Sequence, residues 1–205
     1  MFKNQSYKSY KENLDFVRSC SNWNELDRLS KNINHKFLSN SKYKNRLSLV
    51  EKKMNTILCD DSWMGHCAKY QLHSGGKRFR ALLALIAADI FKISYESAIY
   101  AAVCCEFIHN ASLIHDDLQD RDLLRRGLPT IWNRFGDHTA INLGDYFIAG
   151  SFEALSRIKG NPENKCKAIE HLSYTIQQTV KGQSLEILER SNLNLRMEEY
   201  ESTAK

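Results

Sequence analysis

The sequence predicts an all-α fold. Three observations carry the prediction. The 205 residues contain only two prolines, Pro129 and Pro162, and nine glycines, the first at position 65. An all-β chain needs turn residues far more often. The apolar runs are long and rich in Ala and Leu, which suits buried helices better than strands. No segment alternates with the two-residue period of a half-buried strand.

The elements follow in order. Residues 1–64 lack Gly and Pro and are rich in Lys, Asn and Ser. Leu14, Phe16 and Val17, and later Leu47, Val50, Met54, Ile57 and Leu58, fit amphipathic helices. Gly75–Gly76 breaks the chain, and KRFRALLALIAADIF after it reads as a helix buried on most sides. Ser97 to about Leu118 is a second apolar helix, ending in DDLQDRDLLRRG. Gly127, Pro129 and Thr130 predict a loop. A third helix is expected from Gly144–Asp145, with Asp145 as N-cap, ending at Gly160–Asn161–Pro162. A fourth runs from about Glu163 to about Glu189, and a fifth begins near Arg196.

Composition narrows the function. Residues 1–50 carry ten Lys/Arg against four Asp/Glu, while the remainder is nearly balanced, so the excess of +5 belongs to the leading segment. No nucleic-acid motif accompanies it, and a solvated extension accounts for it. The six cysteines form no CxxC pair, which excludes a zinc ribbon or thioredoxin motif. Free thiols and the lack of a secretory signal point to a reducing, cytoplasmic setting. Glu106, His109 and Asn110 interrupt the stretch closest to a membrane span.

The chemistry concentrates in two places. Asp116, Asp117 and Asp120 form DDxxD at the end of an apolar helix. Positions 116 and 120 share a helical face and can offer two carboxylates to one hard cation such as Mg²⁺. The alternative is a solvated helix end, although negative charge is disfavoured there. Arg121, Arg125 and Arg126 follow closely. Such acidic and basic clusters either pair with each other or form the two halves of a metal–diphosphate clamp. The second place is Lys77, Arg78 and Arg80, with Lys77 and Arg80 placed on one face of a helix start that favours an anion. This is no Walker A loop. His109, read alone, fits a satisfied core histidine. Glu106 and His109 form ExxH, half of a di-iron motif, but no second ExxH exists. HExxH, GxSxG and GxGxxG are also absent. Two basic sites and a carboxylate cluster on apolar helices suit the joining of two phosphorylated, greasy substrates.

The stretches GGKRFR, EFIHNASLIHDDLQDRDLLRRGLPT and GDHTAINLGDYF resemble, in order and spacing, the trans-isoprenyl diphosphate synthases, or polyprenyl synthetases. The resemblance covers residues 75–205. It implies an isoprenoid-synthase bundle of antiparallel helices around a deep cavity, with residues 1–64 an N-terminal helical extension and 65–205 the N-terminal part of the family's domain. It implies condensation of isopentenyl diphosphate with an allylic diphosphate, dependence on Mg²⁺, and pairing as a homodimer or with a complementary chain. Lys77, Arg80, His109 and Arg126 are then the isopentenyl diphosphate pocket. Asp116 and Asp120 are the Mg²⁺ ligands, with Asp117 supporting. Arg125 contacts the allylic diphosphate, Gln183 lines the cavity and Lys205 matches a later family lysine. The family's second aspartate-rich motif has no counterpart in these residues, so a C-terminally truncated member is expected. A non-catalytic subunit is the rival role. A class I terpene cyclase is a weaker one, because it has no use for the GGKRFR and His109 pocket. Ala111 and Ser112, five and four residues before Asp116, are small and predict an open tunnel, with Phe107 as a lower floor.

Overall fold

The computed structural model describes residues 41–189, and these are overwhelmingly helical. The expectations placed on Leu14, Phe16 and Val17, on the helix near Arg196, and on Lys205 lie outside the described residues.

Helix α1 spans Ser41–Leu58 and α2 spans Trp63–His73. In α1, Leu47, Val50, Met54 and Leu58 recur at three- and four-residue spacing and are buried. They join the same core as the later helices, so residues 41–58 pack as part of the bundle. Asp89 ties the start of α1 down: it accepts from Lys42 (2.8 Å), Tyr43 (2.7 Å) and Arg46 (2.7 Å). Ser62 caps α2 by accepting from the Gly65 N–H at 3.0 Å.

Helix α3 runs Phe79–Ile90 and α4 runs Tyr95–Gln119. Lys77 and Arg78 therefore precede α3 instead of opening it, and Arg78 adopts a left-handed backbone at its N-cap. Helix α4 is central, packing most extensively on α6 and also on α3 and α1. Among the described residues it is the one helix long and apolar enough to cross a membrane by composition, yet two thirds of its apolar 18-residue stretch is buried in the bundle.

After α4 the expected loop is a short hairpin. Strand β1 (Leu124–Arg125) pairs antiparallel with β2 (Leu128–Pro129). Its two-residue turn, Arg126–Gly127, has φ of 53° and 81°, the doubly positive signature of a type I′ turn. Two strand residues a side are too few to show a periodicity.

Helix α5 covers Ile131–Phe135, α6 Asp137–Ser156 and α7 Pro162–Glu189. The expected start of α6 at Gly144–Asp145 is corrected: the helix begins at Asp137, and Gly144 is buried within it. A Cβ at Gly144 would strike the His115 ring. That glycine serves close contact between α4 and α6, not a helix start. Helix α7 opens with Pro162, whose missing N–H costs nothing at a first helical position, and packs on α6.

Candidate active site

Among the described residues, α4 borders cavities at three places. The first holds the basic residues. Gly76, Lys77, Arg80, His109 and Arg126 line a space of about 500 Å³, within the usual range for small-molecule sites. Arg80 Nη1 lies 3.2 Å from His109 Nε2, which accepts. Burial pulls His109 down to about 4, with Arg80 and Arg126 adding repulsion. It is a neutral imidazole at pH 7. Arg126 reaches over from the hairpin turn and donates to the Gly75 carbonyl. Gly76 has φ of 144°, and a Cβ there would come within 2.8 Å of Arg126 Nη1. The glycine pair thus lets a guanidinium sit directly on the backbone. Lys77 is exposed at the rim. The helical spacing expected to join Lys77 and Arg80 is replaced by a loop, but both side chains line one space.

The second cavity is at the C-terminal end of α4. Asp116, Asp120, Thr179, Gln183 and Glu186 line a polar space of about 420 Å³. Gln183 Nε2 donates to Asp116 Oδ1 and, at 2.8 Å, to Gln119 Oε1. Asp117 leaves the shared face of Asp116 and Asp120. It is 1% exposed and meets Arg125 through Nε at 2.6 Å and Nη2 at 2.5 Å. Burial pushes its carboxyl upward, and the Arg125 bond draws it back. Of the two outcomes open in the sequence, pairing occurs for Asp117 with Arg125, and Arg121 pairs with Asp137 at 2.8 Å, while Asp116 and Asp120 face a cavity.

The third cavity, about 320 Å³, lies between α4, α6 and α7, with Ile108, Ala111, Ser112, Ile148, Ile176 and Val180 in its wall. The expected floor at Phe107 is corrected. Phe107 is fully buried and packs edge-to-face on Phe147, with ring centroids 5.6 Å apart. Ile108, four residues before Ser112, takes the place on the cavity face.

A family model described as polyprenyl synthetase matches residues 61–205. The chain belongs to the polyprenyl synthetase family. Among similar members, a geranylgeranyl pyrophosphate synthase of Geoglobus acetivorans is 36% identical over 146 residues, which is 70% of this chain and 46% of that protein. The heptaprenyl diphosphate synthase component 2 of Bacillus subtilis is 33% identical over 155 residues, 75% of this chain and 43% of that one. The solved geranylgeranyl pyrophosphate synthetase of G. acetivorans superposes with a TM-score of 0.70 at 32% identity, covering 78% of this chain and 53% of that structure. This polyprenyl synthetase chain thus spans about half the length of the relatives it matches.

Sequence reasoning missed Gln119, Thr179 and Glu186 around the acidic cavity. Gln119 sits inside the DDLQD stretch itself. Thr179 and Glu186 lie four before and three after Gln183, so the helical repeat around that glutamine was the available signal.

Proposed function

We propose that this chain carries the substrate-binding half of a prenyl-chain elongation site, joining isopentenyl diphosphate to an allylic diphosphate. One observation carries the proposal. The basic pocket and the carboxylate cavity are seven residues apart on one helix, from His109 to Asp116, about 10 Å along its axis, with an apolar cavity beside them. Two diphosphate heads and one hydrocarbon tail match those three spaces.

Lys77, Arg80 and Arg126 hold the isopentenyl diphosphate through charge-assisted bonds, beside a neutral His109. Arg125 meets the allylic diphosphate, while Asp116, Asp120 and Gln183 border it. Hard oxygen donors facing a polar space fit Mg²⁺. Among the described residues no three acidic, imidazole or thiol side chains are grouped to hold a metal ion, so water and diphosphate oxygens would have to complete the shell around the two aspartates. Held there by Asp116 and Asp120, Mg²⁺ would supply charge neutralisation to the departing diphosphate. The allylic C–O bond breaks and the diphosphate leaves with its electron pair. The isopentenyl double bond attacks the allylic carbon. A proton then passes from the isopentenyl unit to the released diphosphate. The walls of α4, α6 and α7 exclude the water that would quench the cation.

A role as one subunit of a two-chain synthase is favoured by the similarity to a relative named component 2. The described cysteines are all free thiols, in keeping with a cytoplasmic enzyme. The test is turnover of isopentenyl diphosphate with allylic diphosphates of increasing length, with Mg²⁺, using the full chain alone and with a complementary chain. Asp116→Ala and Asp120→Ala should each cost orders of magnitude in kcat. Lys77→Ala and Arg80→Ala should mainly raise KM for isopentenyl diphosphate. Undiminished turnover in either aspartate variant refutes the assignment.

A further inference from the structure

Glu106 is only 2% exposed, yet it lies one turn before His109 and lines the same basic pocket. Among the described residues lining that pocket, it is the one acidic side chain. A negative charge there repels any anion the cations attract. Electrostatics toward a ligand gives it no reason to be present.

Its contacts give one. Oε1 accepts the backbone N–H of Ala81 at 3.0 Å. Ala81 is the third residue of α3, where an N-cap side chain would normally satisfy the free amide. The N-cap here is Arg78, and it makes no such bond. Glu106 supplies the cap from a different helix. Oε2 lies 3.9 Å from Arg78 Nη1. The Arg78 side chain is 9% exposed. Its Nη2 donates to the Leu72 carbonyl at 2.7 Å and its Nε to Glu51 Oε1 at 3.2 Å. Its backbone is left-handed, with φ of 49° and ψ of 38°. For an arginine such a conformation persists only where its surroundings impose it. Lys77 immediately precedes this residue, and Arg80 follows two positions on.

We propose that Glu106 is the positioning residue of the basic pocket. By capping α3 and tethering Arg78, it sets where Lys77 and Arg80 stand relative to His109, and a diphosphate binds only in that arrangement. This rests on the diphosphate role proposed above for the pocket.

The test titrates metal-free isopentenyl diphosphate into the full chain by calorimetry, with a chelator present so that the carboxylate cavity is silent. Arg80→Ala checks the pocket itself and should abolish binding. Glu106→Gln keeps the size and an oxygen for the Ala81 N–H but removes the charge that holds Arg78. Coulomb repulsion alone predicts tighter binding in this variant; positioning predicts binding about tenfold weaker, the scale of one lost bond to a charged group. Arg78→Lys keeps the charge but cannot span Leu72 and Glu106, and should weaken binding similarly. The double variant should be no weaker than the worse single one, since both act through one link. The His109 Nε2 resonance should shift in both Glu106→Gln and Arg78→Lys while the remaining resonances keep the dispersion of the folded chain, which loss of folded protein would not give. Unchanged or tighter binding by Glu106→Gln, while Arg80→Ala loses it, overturns the proposal and leaves the diphosphate pocket standing. Absence of binding by the unaltered chain overturns both. If Glu106→Gln loses helicity by circular dichroism, Arg78→Lys decides, and unchanged binding there overturns the positioning role.

Discussion

The Arg125 guanidinium rests on the buried Asp117 carboxylate, with Nη2 2.5 Å from Oδ1, and so fastens the hairpin to the end of α4. Asp117 is 1% exposed, whereas Asp116 and Asp120 face a cavity. The three aspartates should therefore fail differently. Asp117→Ala leaves Arg125 without its carboxylate and should cost about 2–3 kcal/mol, a fall in Tm on the order of 5–10 °C. Asp116→Ala and Asp120→Ala should leave Tm nearly unchanged. Thermal melts of the three variants check this, and equal losses would count against it.

His109 gives the fold a pH dependence of definite sign. Burial and the arginines hold it at about 4, while an unfolded histidine titrates near pH 6.5. Between those values the unfolded chain binds a proton that the folded chain refuses. Stability should thus rise with pH across that interval and gain nothing more from this group above it. Urea midpoints measured from pH 4 to 8 should show the slope, and His109→Gln should flatten it.

Ala111 lies in the wall of the apolar cavity beside Ser112. With both residues small, products of geranylgeranyl length or longer are expected from the active assembly. Ala111→Tyr should fill the cavity and shorten them, at an overpacking cost of about 1–3 kcal/mol. Chromatography of the products decides. A parent enzyme that already stops at farnesyl, or a tyrosine variant with unchanged products, contradicts the assignment.

Helix α7 leaves Ile169, Tyr174, Val180, Leu185 and Ile187 exposed along its length. Apolar surface of that kind drives association. The purified chain should elute as a species larger than its 23.7 kDa mass, or acquire a defined size on adding a complementary chain. Light scattering coupled to size exclusion measures it. A monodisperse monomer that binds no hydrophobic dye would contradict the expectation.

Much of this architecture was legible from periodicity. The buried stripe Leu47, Val50, Met54 and Leu58 and the apolar α4 follow from the helical repeat alone. What escaped depends on tertiary approach. Gly144 carries a helix-start signal, yet its role is to admit the His115 ring. The hairpin is too short for any period to appear. Phe107 and Ile108 are neighbours about 100° apart around the helix; which of them faces the cavity depends on where α6 and α7 lie. In the site, the aspartate spacing separated 116 and 120 from 117 in principle. That Asp117 would instead hold Arg125 required the hairpin to bring the arginine back. Glu106 was visible as half of a metal motif; that its carboxylate accepts the Ala81 amide depends on how α3 packs against α4.

The hairpin has one more consequence. Arg125 turns to Asp117 and Arg126 to Gly75, so consecutive residues reach the end of α4 and the loop before α3. Their Cα atoms are about 3.8 Å apart whatever the helices do. The end of α4 and the loop before α3 are thus fastened to each other across a single peptide unit. The apolar cavity shares α4 with the other two cavities, and its remaining walls come from α6 and α7. Side chains of α6 and α7 can therefore change in size without disturbing the hairpin that ties α4 to the glycine loop.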